Sequence, residues 1–343
     1  MTEKKTGAKA VTTGVLLAVL LLVGAVLTVC VGKYDVKPSE VLEIIWCRTW
    51  GMDIPYPDMT VNVVLQLRIP RILASVLVGA SLALAGASYQ GIFCNPLISP
   101  DFLGVSSGAC VGAALAILMS LPSGFIQLFA FAGGILAVAM ALTLPRLFRN
   151  SSNIMLVLAG IIVGSAMSSV MGFIKYVADP ETQLAAITYW TMGSFNYISL
   201  GDLLPTLPFM VIPAAVLQLL SWRIDVLSLG EREAQSLGVN VRLVRGTVIL
   251  CSTLLTASSV CIAGTISWVG LVIPHLGRML VGPRNARLLP VTALLGGLFM
   301  LVVDTLTRTI GAAEMPISIL TGIVGAPFYA WLLWRQRRSA HDL

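Results

Sequence analysis

Residues 11–32 read VTTGVLLAVLLLVGAVLTVCVG, 22 consecutive positions without a charge. A helix needs about 20 apolar residues to cross the hydrocarbon core of a bilayer, so this stretch alone predicts a membrane span. A secretory signal is the rival. Its apolar region would be shorter, about 7–15 residues, with a small-residue cleavage site. The polar segment Met1–Ala10, with Lys4, Lys5 and Lys9, precedes the run and fits an uncleaved first span.

The rest of the chain has the same character. Of its 343 residues 57% are hydrophobic and 11% charged, where a soluble domain carries about 25% charge. The mean hydropathy is +0.90. Such a surface faces lipid rather than water. Apolar runs broken by charge, Pro or Gly predict ten spans, at about 12–32, 70–92, 102–120, 124–145, 154–177, 203–222, 243–263, 266–281, 288–308 and 316–334. The expected fold is an all-α integral membrane protein, residues 1–343 forming one transmembrane domain. Glycines such as Gly79, Gly86, Gly160 and Gly164 suit close helix packing where lipid offers no hydrophobic drive. Six cysteines form no CxxC or Cys/His cluster, so neither a zinc site nor a disulfide framework is indicated.

With the N-terminus cytoplasmic, fifteen of the 22 Lys and Arg fall on cytoplasmic segments, Arg149, Arg232 and Arg242 among them. That bias fits the positive-inside rule with both termini inside. It also accounts for the net charge of +6 without nucleic acid. The segments 33–69 and 178–202 are then external; within the first, CRTWGMDIPYP (47–57) has no functional reading.

One cytoplasmic stretch breaks the apolar pattern: LGEREAQSLGVN, residues 229–240. Ser228 and Glu231 have the spacing of a capping box. Gly238 stands where a left-handed helix end places glycine. A helix of about 229–237 follows, with Ala234, Leu237 and Val241 as a narrow apolar edge and Glu231, Arg232 and Glu233 on other faces. It serves either as a connector or as a plug for a socket on a soluble partner. The chain holds no GxxxxGK[ST] phosphate loop and few intramembrane acids for a proton relay. Uphill transport would therefore draw on a partner. An ion-coupled carrier or channel is the alternative class. A membrane enzyme lacks any constellation such as HExxH. His275 has only His341 as a possible second histidine ligand, so no metal site and no cofactor are expected.

At GASLALAGASYQGIFCNPLISPDFLGVSSGA (79–109) the chain resembles the permease subunits of bacterial ABC importers for iron–siderophores, haem and cobalamin. RIPR (68–71), YWTMGS (189–194), LGEREAQSLGVN, AGTISWVGLVIPHLGR (263–278), LLP (288–290) and DTLTRTIGAAEMPISILTGIVGAPFYAWLL (304–333) continue the likeness in the family's order. The resemblance implies a ten-helix type II ABC importer permease in the bacterial cytoplasmic membrane. It implies pairing with a second permease subunit, either a copy or a close relative. Two ATP-binding subunits and a periplasmic or lipid-anchored substrate-binding protein complete the assembly. Ser228, Gly230, Glu231, Arg232, Glu233, Ala234, Leu237 and Gly238 would form the ATPase-coupling element. Arg68, Arg71 and Arg308 would grip acidic residues of the binding protein; membrane-interface snorkelling, or an i, i+4 pair of Arg308 with Asp304, is the competing reading. Asn95 and Leu97 would form one gate, Ser152 and Asn153 a second. Glu314 is read as starting the last helix. The expected cargo is an iron chelate, a ferric siderophore first, with cobalamin, haem or molybdate as alternatives. Ile317–Ser318 and Trp268 depart mildly from the family pattern.

Overall fold

The structure, a computed structural model, describes residues 2–148, 152–196, 198–311 and 313–341; the side chains of 2–6, Asn153, 332–333 and 335–341 also lie outside the description. Arg149, placed among the cytoplasmic cations above, is outside it. The described chain is helical throughout. In order the helices are α1 (Thr2–Cys30), α2 (Pro38–Trp50), α3 (Asp58–Asn62), α4 (Ile69–Phe93), α5 (Val105–Leu118), α6 (Ser123–Leu147), α7 (Asn153–Val177), α8 (Gln183–Met192), α9 (Leu200–Leu203), α10 (Leu207–Leu219), α11 (Ser221–Leu227), α12 (Glu231–Ser236), α13 (Val241–Ala263), α14 (Val269–Val281), α15 (Asn285–Thr309) and α16 (Ile317–His341). A π-helical segment, Val63–Arg68, joins α3 to α4, and a 3-10 turn, Pro100–Leu103, precedes α5.

Each expected span coincides with a helix, but the spans are unequal. Six are long and apolar enough to cross a membrane: α1, the continuous stretch Asp58–Phe93, α6, α7, α13 and α15. The segment 203–222 is a bent pair, α10 and α11, turning by 57° at Leu220. Three more are shorter apolar helices: α5, α14 and the Ile317–Trp331 part of α16. α4 and α13 are mostly buried, whereas α1 and α7 expose most of their length. Sequence hydropathy alone cannot make that distinction, since lipid-facing and core-facing spans are equally apolar.

Glycine sets how tightly the centre closes. A Cβ built on Gly79 of α4 would fall on the carbonyl oxygen of Gly296 in α15, and one on Gly296 would fall on that of Gly79. Gly86 and Gly270 bring α4 against α14, and Gly108 and Gly133 bring α5 against α6. Backbones approach this closely only without side chains between them.

The breaks are also built from sequence. Cys94 and Gly104 take left-handed conformations that turn the chain back after α4. Pro100 and Leu82 then flank Gly270, so the 3-10 turn has returned to the depth of mid-α4. Irregular backbone at that depth must face protein or a wet cavity; here it packs on α4 and α7. A second break is knitted from three loops. Ser194 N donates to Ala263 O (2.9 Å) and Ile317 N to Gly193 O (3.0 Å). The Ser318 hydroxyl lies 2.7 Å from the carbonyl oxygens of both Met192 and Thr265. Its single O–H can serve either carbonyl, that of Met192 at the end of α8 or that of Thr265 in the break after α13.

A leucine at Gly79 or Gly296 is expected to weaken resistance to unfolding in a detergent titration by about 1–3 kcal/mol. Leucine at Gly172, where nothing lies within 4 Å of a built Cβ, is the control and should change little. Equal losses at all three positions would refute the close-contact account.

Candidate functional site

Two polar clusters stand at opposite ends of the same two helices, α4 and α15. One is the charged knob. Residues 221–240 leave the bundle as α11 and α12. The expected capping box is not formed. Ser228 closes α11 instead, its hydroxyl donating to Asp225 O at 2.6 Å. Gly230, at φ +124°, is the N-cap of α12 and provides no side chain for it. Glu231 is turned to Arg245, 2.6 Å away. α12 is therefore Glu231–Ser236, shorter than the 229–237 expected. The other end behaves as read: Gly238 is left-handed at φ +76°, and Val239 N bonds Ala234 O at 2.9 Å. The apolar edge is divided. Ala234 and Val241 are buried, while Leu237 and Leu229 are 57% and 65% exposed. Arg232 and Glu233 point to solvent with them. The knob thus presents two leucines amid charges.

It is mounted on two helices. Asp225 Oδ1 accepts from Asn285 N (2.8 Å) and Asn285 Nδ2 (2.7 Å), which ties α11 to the start of α15. Ile224 packs on Gly91 near the end of α4. The Cys94 thiol lies 3.8 Å from Ser228 O. The first expected gate adjoins this joint: Leu97 N donates to Asn95 Oδ1 at 2.9 Å, closing a tight Asx turn directly after Cys94. The second lies elsewhere. Ser152 is the N-cap of α7, accepting from Met155 N at 3.2 Å, and the Asn153 side chain lies outside the described residues.

The other end is a buried charge cluster. Arg71 Nε bonds Asp304 Oδ1 at 2.8 Å, and its Nη1 reaches Asn196 Oδ1 at 2.7 Å and Glu314 Oε2 at 2.9 Å. Arg308 Nε lies 3.3 Å from Asp304 Oδ2, the i, i+4 contact considered above. Arg68 donates to the carbonyls of Val29 (2.5 Å) and Tyr34. All three arginines are buried, and Asp304 is wholly so. Burying a carboxylate between two guanidiniums is tolerable only because each charge offsets the desolvation of the others. Glu314 accordingly holds Arg71 instead of starting a helix, and α16 begins three residues later. The arginines line a cavity of about 590 Å³ with Lys33, Asn196 and Glu314. Asn196 escaped the sequence reading, and so did the pairing of Glu314. Nothing local marks either one; they are 125 and 243 residues from Arg71.

A third feature is a cavity of about 430 Å³ among α5, α7 and the breaks, lined by Asp101, Ser106, Ser107, Ser168, Lys175 and Thr265 among others. The Ser106 hydroxyl is bonded to the Asp101 carboxylate. Among the described residues no group of three His, Cys, Asp or Glu could hold a metal ion.

These features belong to a known pattern of chains. Residues 20–335 match the FecCD transport family. The chain belongs to that family. The molybdate import system permease protein of Haemophilus influenzae is 40% identical over 325 residues, 94% of this chain and 95% of that one. A Helicobacter pylori permease named for iron chelatin transport is 39% identical, over 80% of this chain and 83% of its own. A solved metal-chelate type ABC transporter in an inward-facing conformation superposes with TM-score 0.83 at 38% identity, covering 94% of this chain and 98% of that one. This FecCD-family chain is therefore an ABC importer permease: a multi-pass protein of the bacterial cytoplasmic membrane that transports and is not itself an enzyme.

Asp304→Ala should strip the shared carboxylate from Arg71 and Arg308 and cost about 3–5 kcal/mol in the same titration, as an uncompensated buried charge does. Glu314→Gln, at a side chain 30% exposed, should cost under about 1 kcal/mol. The reverse order would overturn the assignment of Asp304 as the centre of the cluster.

Proposed function

We propose that residues 1–343 form one half of a translocation path for an iron chelate, a ferric siderophore first, with both termini cytoplasmic. The second half is another copy or a close relative. Two separate ATP-binding subunits supply the energy, and a periplasmic or lipid-anchored binding protein delivers the cargo. Ser228–Gly238 is where the ATP-driven stroke arrives. The observation that carries this reading is the mounting of α11–α12 on the ends of α4 and α15. A displacement of the knob would bear on both helices, because Asp225–Asn285 and Ile224–Gly91 join α11, on which the knob sits, to them. The same stroke would act on the Asn95–Leu97 turn, which adjoins Ser228 through Cys94. This is rigid-body gating between packed helices. Ser152 and Asn153, at the start of α7, would form the second constriction.

Arg68, Arg71 and Arg308 remain the proposed docking residues, in a specific form. Their guanidiniums already serve Asp304, Glu314 and backbone carbonyls. An incoming carboxylate would therefore compete with the solvent-reached Glu314 for Arg71, rather than meet a free cation. Directional guanidinium–carboxylate pairing suits such an exchange.

Molybdate is the second reading for the cargo, favoured by the relative matched over 94% of this chain. One experiment separates the two. The purified chain in vesicles should move neither radioiron–siderophore nor radiomolybdate. With its ATPase and binding protein it should take up the iron chelate in an ATP-dependent way. Uptake of molybdate alone would replace the cargo assignment, and fast flux by the lone chain would discard the importer reading. Glu231→Lys and Gly238→Trp should each lower uptake about tenfold, the loss expected for a coupling free energy of 1–3 kcal/mol, while ATP hydrolysis by the assembled complex persists. Normal uptake in both variants would remove the coupling role.

A further inference from the structure

The external segment 33–69, whose portion 47–57 gave no functional reading from sequence, contains α2, and α2 has two apolar stripes. Val41 and Ile44 are buried against Val29, Val36, Val64 and Ile72, and Cys47 is buried on the same face. Leu42, Ile45, Trp46, Thr49 and Trp50 recur at i, i+3, i+4, i+7 and i+8, a helical stripe. All five are exposed, with Leu42 and Trp46 each 60% and Trp50 66% accessible. The remaining arc carries Glu40 and Glu43. Glu43 accepts from Tyr56 Oη at 2.6 Å, and that bond pushes the phenol up to about 12. The Tyr56–Glu43 contact therefore holds the acidic arc of α2 toward the 51–57 loop at ordinary pH.

Beside the outer stripe lies a groove of about 380 Å³. Its walls are Val26 and Val29 of α1, Leu42 and Ile45 of α2, and Ile69 and Leu73 of α4, with Arg48 and Thr49 its only polar lining residues. The groove continues onto the face of α1 that exposes Val15, Val19, Leu22, Val23 and Val26. That face meets bilayer. α1 ends at Cys30, just past Val26 and Val29, so the groove lies at the end of a span. Tryptophan concentrates at that depth, and a helix with an apolar face there lies in the plane of the interface. No described residue pairs with the Arg48 guanidinium, which is exposed.

We infer that α2 is an interfacial helix of the membrane face at the C-terminal end of α1, and that its groove holds a phospholipid acyl chain with the lipid phosphate at Arg48. The occupant is lipid rather than protein on two grounds. The groove is continuous with a surface already in lipid. The second ground is the charge at its edge: Arg48 lines the groove without a described partner. Arg48 supplies the charge complement to a phosphate.

The test uses the full chain reconstituted in phosphatidylcholine–phosphatidylglycerol vesicles. The tryptophan emission that disappears in the Trp46→Phe/Trp50→Phe double variant isolates this pair. Lipids brominated near the headgroup end of the acyl chain should quench that component to about half, and aqueous acrylamide should barely touch it. Full acrylamide quenching with no effect of bromine would overturn the interfacial placement. So would shielding that appears only when a soluble binding protein is added, since the face would then dock protein. Spin-labelled phosphatidylglycerol should associate with the chain several-fold more than labelled phosphatidylcholine, and Arg48→Gln should abolish the preference. A preference unchanged in Arg48→Gln would overturn the phosphate contact.

Discussion

The backbone contact of α4 with α15 is the constraint on which the rest of this permease depends. Gly79 and Gly296 face each other with no room for a side chain on either. Lipid supplies no hydrophobic force to press helices together, so contact area must come from van der Waals packing. Once this pair is closed, Arg71 on one helix reaches Asp304 on the other, and Asn285 at the far end of α15 reaches Asp225. α4, at 25 residues, spans roughly 37 Å at 1.5 Å per residue. The two helices therefore carry both polar ends of the protein on one stiff pair.

That stiffness gives the irregular segments their meaning. The chain interrupts its helices at 193–199, at 264–268 and ahead of α16. In a membrane each interruption exposes carbonyls and amides that water cannot reach. The structure satisfies them with one another: Ser194 with Ala263, Ile317 with Gly193, Ser318 with Met192 and Thr265. Three breaks in three helices become one hydrogen-bonded joint. The mild departure at Ser318 is a hydroxyl between two carbonyls. The other, Trp268, packs against Gly325 and stacks obliquely on Tyr329 with ring centroids 6.2 Å apart.

The arginines show why residue type alone misleads about role. As sequence, Arg68, Arg71 and Arg308 are cations at the ends of spans, suited to gripping a partner. In the folded chain they are buried, and their nearest acids are their own. Docking and internal pairing are not exclusive, but they compete, and Glu314 is the member of the cluster that solvent reaches. The knob is the converse case. Its charges face outward, its glycines set its two ends, and its fixed mounting gives the proposed stroke something to push.

Much of this was written in the sequence. Runs of about 20 apolar residues fix helices wherever backbone groups must be satisfied locally, so every expected span coincides with a helix. Gly238 announced the left-handed end of α12, because glycine takes positive φ without steric cost. The motifs in their order fixed the family. Tertiary structure alone decided which equally apolar helices face lipid and which fill the core. It chose Arg245 over Ser228 as the partner of Glu231, and it placed Asn196 and Glu314 beside Arg71. It also found α2, within a stretch that the sequence marked only as external. Periodicity reports a residue's face on its own helix. What that face meets depends on helices hundreds of residues away, and only closure of the glycine contacts brings them there.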